Sequence, residues 1–268
     1  MFQSIGFLGT GQMGGALAQA AVKGAGGAAV LLANRTPAKA QALADQLGCQ
    51  ATDNQTVAAR CELIFLGVKP QMMAGLLESI APTLAARKDR FVLASMAAGL
   101  TARRIQELAG GNYPVIRLMP NTPVAVGAGV IQFCGLDTRE EELEDFQTLL
   151  GPAGLVDQVD EGLIDAACAL SGCGPAFCAL LAEALADGAV ACGLPRDKAR
   201  RYAAQTMEGT AKLMRQTGAH PGAVKDAVCS PGGSTIQGVR VLEANGFRAA
   251  AIDAVIAAFE QTQALGKG

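Results

Sequence analysis

The residues that most restrict this chain are Gly9-Thr10-Gly11-Gln12-Met13-Gly14, a complete G-x-G-x-x-G. The apolar run Ser4–Leu8 before them reads as a short buried strand, and Gly15–Val22 after them has a helical pattern. Strand, glycine turn and helix together form the context in which this spacing binds a dinucleotide. Gly9 permits the tight turn, Gly11 lets the backbone approach a pyrophosphate, and Gly14 lets helix pack on strand. The helix start adds free N–H groups and a partial positive charge. A chain that begins this way is committed to an α/β fold with a parallel sheet.

The rest of the first half agrees. Strands are predicted at Ala28–Ala33, Cys49–Ala51, Leu63–Val68, Phe91–Ser95 and Val115–Leu118. Two more are expected at Val130–Phe133 and Leu155–Val159, with a charged helix at Arg139–Leu150 between them. Ligands of open α/β sheets bind at the carboxyl ends of the strands. Those ends carry Asn34-Arg35-Thr36, then Val68-Lys69-Pro70, then Met96-Ala97-Ala98. The second strand end lacks the Asp or Glu that accepts from the ribose hydroxyls of NAD. Arg35 stands there instead and suits a phosphate, which predicts a preference for NADPH.

Beyond residue 160 no strand run appears. Helices are predicted at Leu163–Leu170, Pro175–Cys192, Pro195–Met214, Pro221–Val228, Thr235–Ala244 and Phe247–Leu265. The expected architecture is a Rossmann-type doubly wound domain over residues 1–160 and an all-helical domain over 161–268. Half of the residues are hydrophobic and only 17% are charged, more apolar than an ordinary soluble domain. The longest uncharged stretch of the second half, Ala166–Ala182, contains Ser171, Gly172, Gly174 and Pro175 and is short for a bilayer. Burial between subunits is therefore expected, and no membrane. A net charge of −2 with no basic patch predicts no nucleic-acid partner. The eight Cys include no C-x-x-C pair, so no metal site is expected. A reducing cytoplasm fits them, and no signal-like run precedes the first strand.

Two turns stand out in the helical half: Ser171-Gly172-Cys173-Gly174-Pro175 and Ser230-Pro231-Gly232-Gly233-Ser234-Thr235. Both read as helix starts suited to an anion such as a carboxylate. The single His, His220, lies in an expected surface turn, and Lys212 and Lys225 read as solvated helix residues. With no evident proton shuttle, a reaction that needs little acid–base help is indicated. Reduction of a C=N bond is one, because a protonated imine is already electrophilic and orientation dominates.

Together these pieces resemble pyrroline-5-carboxylate reductase. The resemblance is carried by the Gly9 turn, Val68-Lys69-Pro70, Ala97-Ala98-Gly99, Met119-Pro120-Asn121-Thr122-Pro123, Leu170 to Ala176, and Ser230 to Thr235. The last is the most specific. The resemblance implies reduction of 1-pyrroline-5-carboxylate to L-proline with NADPH or NADH. It also implies a homodimer with interleaved helical domains, assembled further into a decamer in some cases. Carried over by position, the cofactor contacts are Leu8, Gly9, Thr10, Gly11, Gln12, Met13, Asn34, Arg35, Asn54, Val68, Lys69, Pro70, Met96, Ala97 and Ala98. The substrate contacts are Glu161, Ser230, Gly233, Ser234 and Thr235, with Thr235 the catalytic candidate. Cys173 and Phe177 stand where the family usually has Ser and Tyr, and each removes a hydroxyl. Two other readings remain: a β-hydroxyacid dehydrogenase, which needs a catalytic helical Lys, and a non-catalytic cofactor sensor. The intact Ser230–Thr235 turn argues against the second.

Overall fold

The computed structural model describes residues 1–265. The chain divides into two compact units, Met1–Cys173 with the end of the chain from Ala258, and Gly174–Ala257. The first unit alternates strand and helix: β1 (Ile5–Leu8), α1 (Gln12–Ala25), β2 (Val30–Ala33), α2 (Pro37–Leu47), β3 (Gln50–Ala51), α3 (Asn54–Arg60), β4 (Leu63–Leu66), α4 (Pro70–Ala86), β5 (Val92–Ser95) and α5 (Ala102–Ala109). It continues with β6 (Val115–Pro120), β7 (Gly129–Leu136), α6 (Glu140–Leu150), β8 (Gly154–Gln158) and α7 (Ile164–Ser171). The second unit begins at α8 (Gly174–Ala191) and holds α9 (Arg196–Thr217), α10 (Pro221–Val228), α11 (Ser234–Ala244) and most of α12 (Phe247–Leu265).

The eight strands form one sheet in the order β3-β2-β1-β4-β5-β6-β7-β8. Strands β3 to β6 of that order run parallel; β7 pairs antiparallel to β6, and β8 parallel to β7. The central strands are buried on both faces, as their unbroken apolar sequences require. One core packs α1, α2 and α6 against one face through Phe7, Phe65, Phe133 and Phe146. The other packs α3, α4 and α5 against the opposite face through Ile64, Leu66, Met73, Leu77 and Ile105. Phe7 and Phe65 stack at 4.4 Å between centroids on neighbouring strands.

Several expected boundaries shift. Ala28 and Ala29 form a 3-10 turn ahead of β2, and Gly67-Val68 fall outside β4. Asn54, expected in a loop, opens α3, because the Asp53 carboxylate caps that helix by accepting from Thr56 N at 2.8 Å. The expected helix start at Ser171–Pro175 is present, with α8 opening at Gly174. Gly172 has right-handed helical angles, and both Gly172 N and Cys173 N donate to the Cys168 carbonyl, at 2.7 and 3.2 Å. Those two N–H groups therefore close the end of α7. Helix α7 packs on β6 and β7, so the compact units part at Cys173. By length and composition alone, the helical stretch Glu161–Ala191, 31 residues with an 18-residue window of mean hydropathy 1.6, could cross a bilayer.

The second unit has almost no interior. Between Gly174 and Ala257 only Ala186 and Ala199 are buried. Helices α8 and α9 form a hairpin, while α10 and α11 pack extensively on no other helix among the described residues. Leu180, Leu185, Tyr202, Val228, Val241 and Ile252 are all exposed. Exposed apolar area on this scale marks an association surface.

Candidate active site

Strand β1 lies between β2 and β4, so the chain leaves it in opposite directions on its two sides. This is the switch point at which open α/β sheets take ligands. Gly9 has φ +108°, and a Cβ there would lie 2.6 Å from the Gly67 carbonyl oxygen. The turns after β1 and β4 thus pass back to back, and both need glycine. A Cβ on Gly14 would collide with the Gly9 carbonyl, which fixes how closely α1 meets β1. Gly11 is different: a Cβ there would meet nothing within 4 Å, and its φ is −68°. No protein atom demands glycine at this position, so the open space beside it is room for a ligand. Thr10 Oγ1 is buried and has no hydrogen-bond partner. Such an orphan costs about 1–3 kcal/mol, and a dinucleotide's phosphate oxygens or hydroxyls would satisfy it. The turn fits the cofactor that the sequence implies.

The other expected cofactor residues gather at the same edge. Leu8 ends β1 and is buried, while Gly11 and Gln12 are exposed at the start of α1 and Met13 packs partly on the first core. Asn34 Nδ2 donates to the Thr36 carbonyl at 3.4 Å and shapes the turn after β2; Arg35 projects from it, exposed. Asn34, Thr52, Asp53 and Asn54 border a cleft of about 800 Å³. Asp53 is held below the ordinary carboxylate range, first by the Thr56 N–H. Val68 is half-buried; Lys69 is the exposed N-cap of α4 and Pro70 its first residue. After β5, Met96 is half-buried, Ala97 buried and Ala98 exposed, with Ala97 N donating to the buried Ser95 Oγ at 3.4 Å.

In the second unit, α11 starts at Ser234 with Gly233 as its N-cap, and no side chain caps it. Gly232 has φ +69°, and a Cβ on Gly233 would strike Ser230 Oγ. Gly233 N donates to the Ser230 carbonyl at 3.0 Å, closing the turn. Ser230, Ser234 and Thr235 are exposed around it. The turn carries three exposed hydroxyl residues beside an uncapped helix start, a setting that suits a carboxylate. The remaining polar candidates are occupied locally. His220 caps α10, its Nδ1 accepting from Gly222 N at 3.1 Å. Lys212 pairs with Glu208 at 2.5 Å and Lys225 with Asp226 at 2.8 Å.

The sequence reading missed Arg117. This β6 residue has a side chain only 4% exposed, and it bonds Asp165 through Nη2 at 2.7 Å and Glu161 through Nη1 at 3.5 Å. Its Nε is buried without a partner. Glu161 lies in the first unit, and its Oε1 also accepts from Ala102 N at 2.8 Å. Any substrate role for Glu161 competes with those two commitments. A charged residue inside the strand Val-Ile-Arg-Leu-Met was the available signal. Nearby, Asn121 Nδ2 donates to the Ser171 carbonyl at 2.9 Å and Gln132 Nε2 to Ser171 Oγ at 2.8 Å, which ties α7 to the sheet. Burial pushes the Cys61 thiol up to about 12 and the Cys134 thiol up to about 11, so neither is a nucleophile at neutral pH.

Comparison with known proteins separates the readings. The family model described as pyrroline-5-carboxylate reductase dimerisation matches residues 161–265, and the one described as NADP oxidoreductase, coenzyme F420-dependent, matches residues 4–99. The pyrroline-5-carboxylate reductase of Escherichia coli is 39% identical over 273 residues, covering all of both chains. This chain belongs to the pyrroline-5-carboxylate reductases. Solved structures of the family superimpose over nearly the whole length. The reductase of Coxiella burnetii gives a TM-score of 0.91 at 29% identity, covering 99% of each chain. The Plasmodium falciparum pyrroline carboxylate reductase, solved with NADP bound, gives 0.85 at 29% identity, covering 98% of each.

Proposed function

We infer that the chain reduces 1-pyrroline-5-carboxylate to L-proline with NAD(P)H, the last step of proline biosynthesis. The end-to-end match to the E. coli reductase carries this reading, and the switch-point turn supplies its chemistry. In the reaction a hydride adds to the imine carbon, and a proton on nitrogen leaves a secondary amine. The bound cofactor supplies the hydride. The chain's own part is to hold two ligands. Gly9 to Met13 cradle the pyrophosphate against the start of α1, Asn34, Arg35 and Asn54 take the adenosine end, and Val68–Pro70 and Met96–Ala98 border the nicotinamide half. Ser230, Gly233, Ser234 and Thr235 hold the carboxylate and orient the ring. Oxidation of NADPH on adding pyrroline-5-carboxylate, with no reduction of NADP⁺ on adding a β-hydroxyacid, tests the assignment. A β-hydroxyacid dehydrogenase would give the opposite pattern.

NADPH is the preferred cofactor, because Arg35 is exposed at the β2 end where an acid would favour NAD. A charged hydrogen bond to the 2′-phosphate is worth about 1.5–3 kcal/mol. Arg35→Asp is expected to raise KM for NADPH by roughly 10- to 100-fold and to leave KM for NADH much less changed. Equal effects on both would refute the preference.

The domains are a dinucleotide-binding part, residues 1–160, and a dimerisation and substrate part, residues 161–268. The chain self-associates through the second, whose apolar helices lack an interior of their own. The unit is an obligate homodimer, which stands alone or assembles further into a decamer. Light scattering at micromolar concentration is expected to show no folded monomer; a folded monomer there rules the dimer out. All eight cysteines are free thiols, which suits a reducing, cytoplasmic setting.

A further inference from the structure

We infer that Glu161 and Arg117 are positioning residues for the cofactor: together they clamp the turn Met96–Thr101. This rests on the reading that Met96–Ala98 border the nicotinamide half. The turn links β5 to α5. At its first end Ser95 Oγ accepts from Ala97 N. At its far end Thr101 Oγ1 caps α5 by accepting from Arg104 N at 3.1 Å. The next N–H, that of the fully buried Ala102, has no donor-accepting side chain on its own helix and is taken by Glu161. A carboxylate at a helix N-terminus is favoured by the dipole as well as by the bond. Glu161 comes from a segment 59 residues further along, and it is steered there by Arg117.

Arg117 is set into the sheet beside the turn it serves. In the β5–β6 register it is paired with Ser95, the residue that anchors the other end. Its guanidinium spans Glu161 and Asp165, while its Nε goes without a partner. A buried Arg with an unmade hydrogen bond is poor value for stability alone. It is well placed to fix direction, because its planar fork holds two carboxylates at set angles. The chain of contacts runs from Asp165 to Arg117, Glu161, Ala102 and the turn. Gly99, with φ +77°, lies in the middle of that turn.

The test compares Glu161→Ala with Glu161→Gln. Gln keeps an acceptor for Ala102 N; Ala keeps none. Binding of NADPH is titrated without substrate, and amide exchange of residues 96–102 is followed in the free protein. The expected result is that Glu161→Ala weakens NADPH binding by about 10- to 100-fold and speeds exchange in the turn, while Glu161→Gln stays within a few-fold of the parent. Unchanged NADPH binding in Glu161→Ala, alongside normal binding by the parent, overturns the inference. So does a rise in KM for pyrroline-5-carboxylate alone, which would make Glu161 a substrate ligand. A parent protein that failed to bind NADPH would remove the cofactor reading and this assignment with it.

Discussion

Thr235→Ala is expected to lower kcat/KM for pyrroline-5-carboxylate by roughly 10- to 1,000-fold, about 1.4–4 kcal/mol of transition-state stabilisation. NADPH binding should barely change. The competing explanation for a Thr at a helix start is capping, worth about 1 kcal/mol. The structure places Gly233 at the N-cap and Thr235 one residue inside the helix, with no side-chain cap present. Removing the hydroxyl therefore takes nothing from α11, and Ala is the better helix former. Melting temperature should hold or rise slightly while catalysis falls. Near-normal kcat/KM in the variant would end the assignment of Thr235 to the substrate.

The largest expected stability effect lies at Asp165. Asp165→Ala strips the shorter of the two ion pairs from a guanidinium whose side chain is 4% exposed. Breaking a buried pair by removing one partner costs about 3–5 kcal/mol. The lower end applies, because Glu161 remains at 3.5 Å and the Asp165 side chain is 24% exposed. Arg117→Met with Asp165→Leu should recover most of the loss, since the uncompensated charge goes with its partner. Denaturant melts of the single and double variants measure both. A double variant as unstable as Asp165→Ala would mean that packing around the site, and not charge, sets the cost.

Much of the first unit was legible because its signals are local. A glycine that must turn, a glycine that must touch and a run of buried apolar residues each declare themselves within a few positions. The antiparallel β7 was not read. Only eight residues, 121–128, separate β6 from β7, fewer than a parallel crossover needs, so the signal was present in the spacing. Arg117 was missed for a different reason. Its partners lie 44 and 48 positions away, and a lone Arg in an apolar strand gives no address for them. The Ser171–Pro175 segment was legible as a helix boundary, with α7 ending at Ser171 and α8 opening at Gly174, whereas the long-range ties of Ser171 to Gln132 and Asn121 left no local signal. The Ser230–Thr235 turn was legible as a shape, Gly-Gly-Ser-Thr before a helix, and α11 does open there at Ser234.

The scarcity of buried residues between Gly174 and Ala257 has a bearing on how the protein is made. Chains fold from the amino end as synthesis proceeds. The sheet has a core on each face and can consolidate while the ribosome is still adding helices. The helices that follow have no such interior to collapse onto. On the proposed obligate dimer, each newly finished chain would carry a folded cofactor half and a waiting helical half, and its maturation would end on meeting a second chain. Two chains emerging from neighbouring ribosomes on one message would meet soonest.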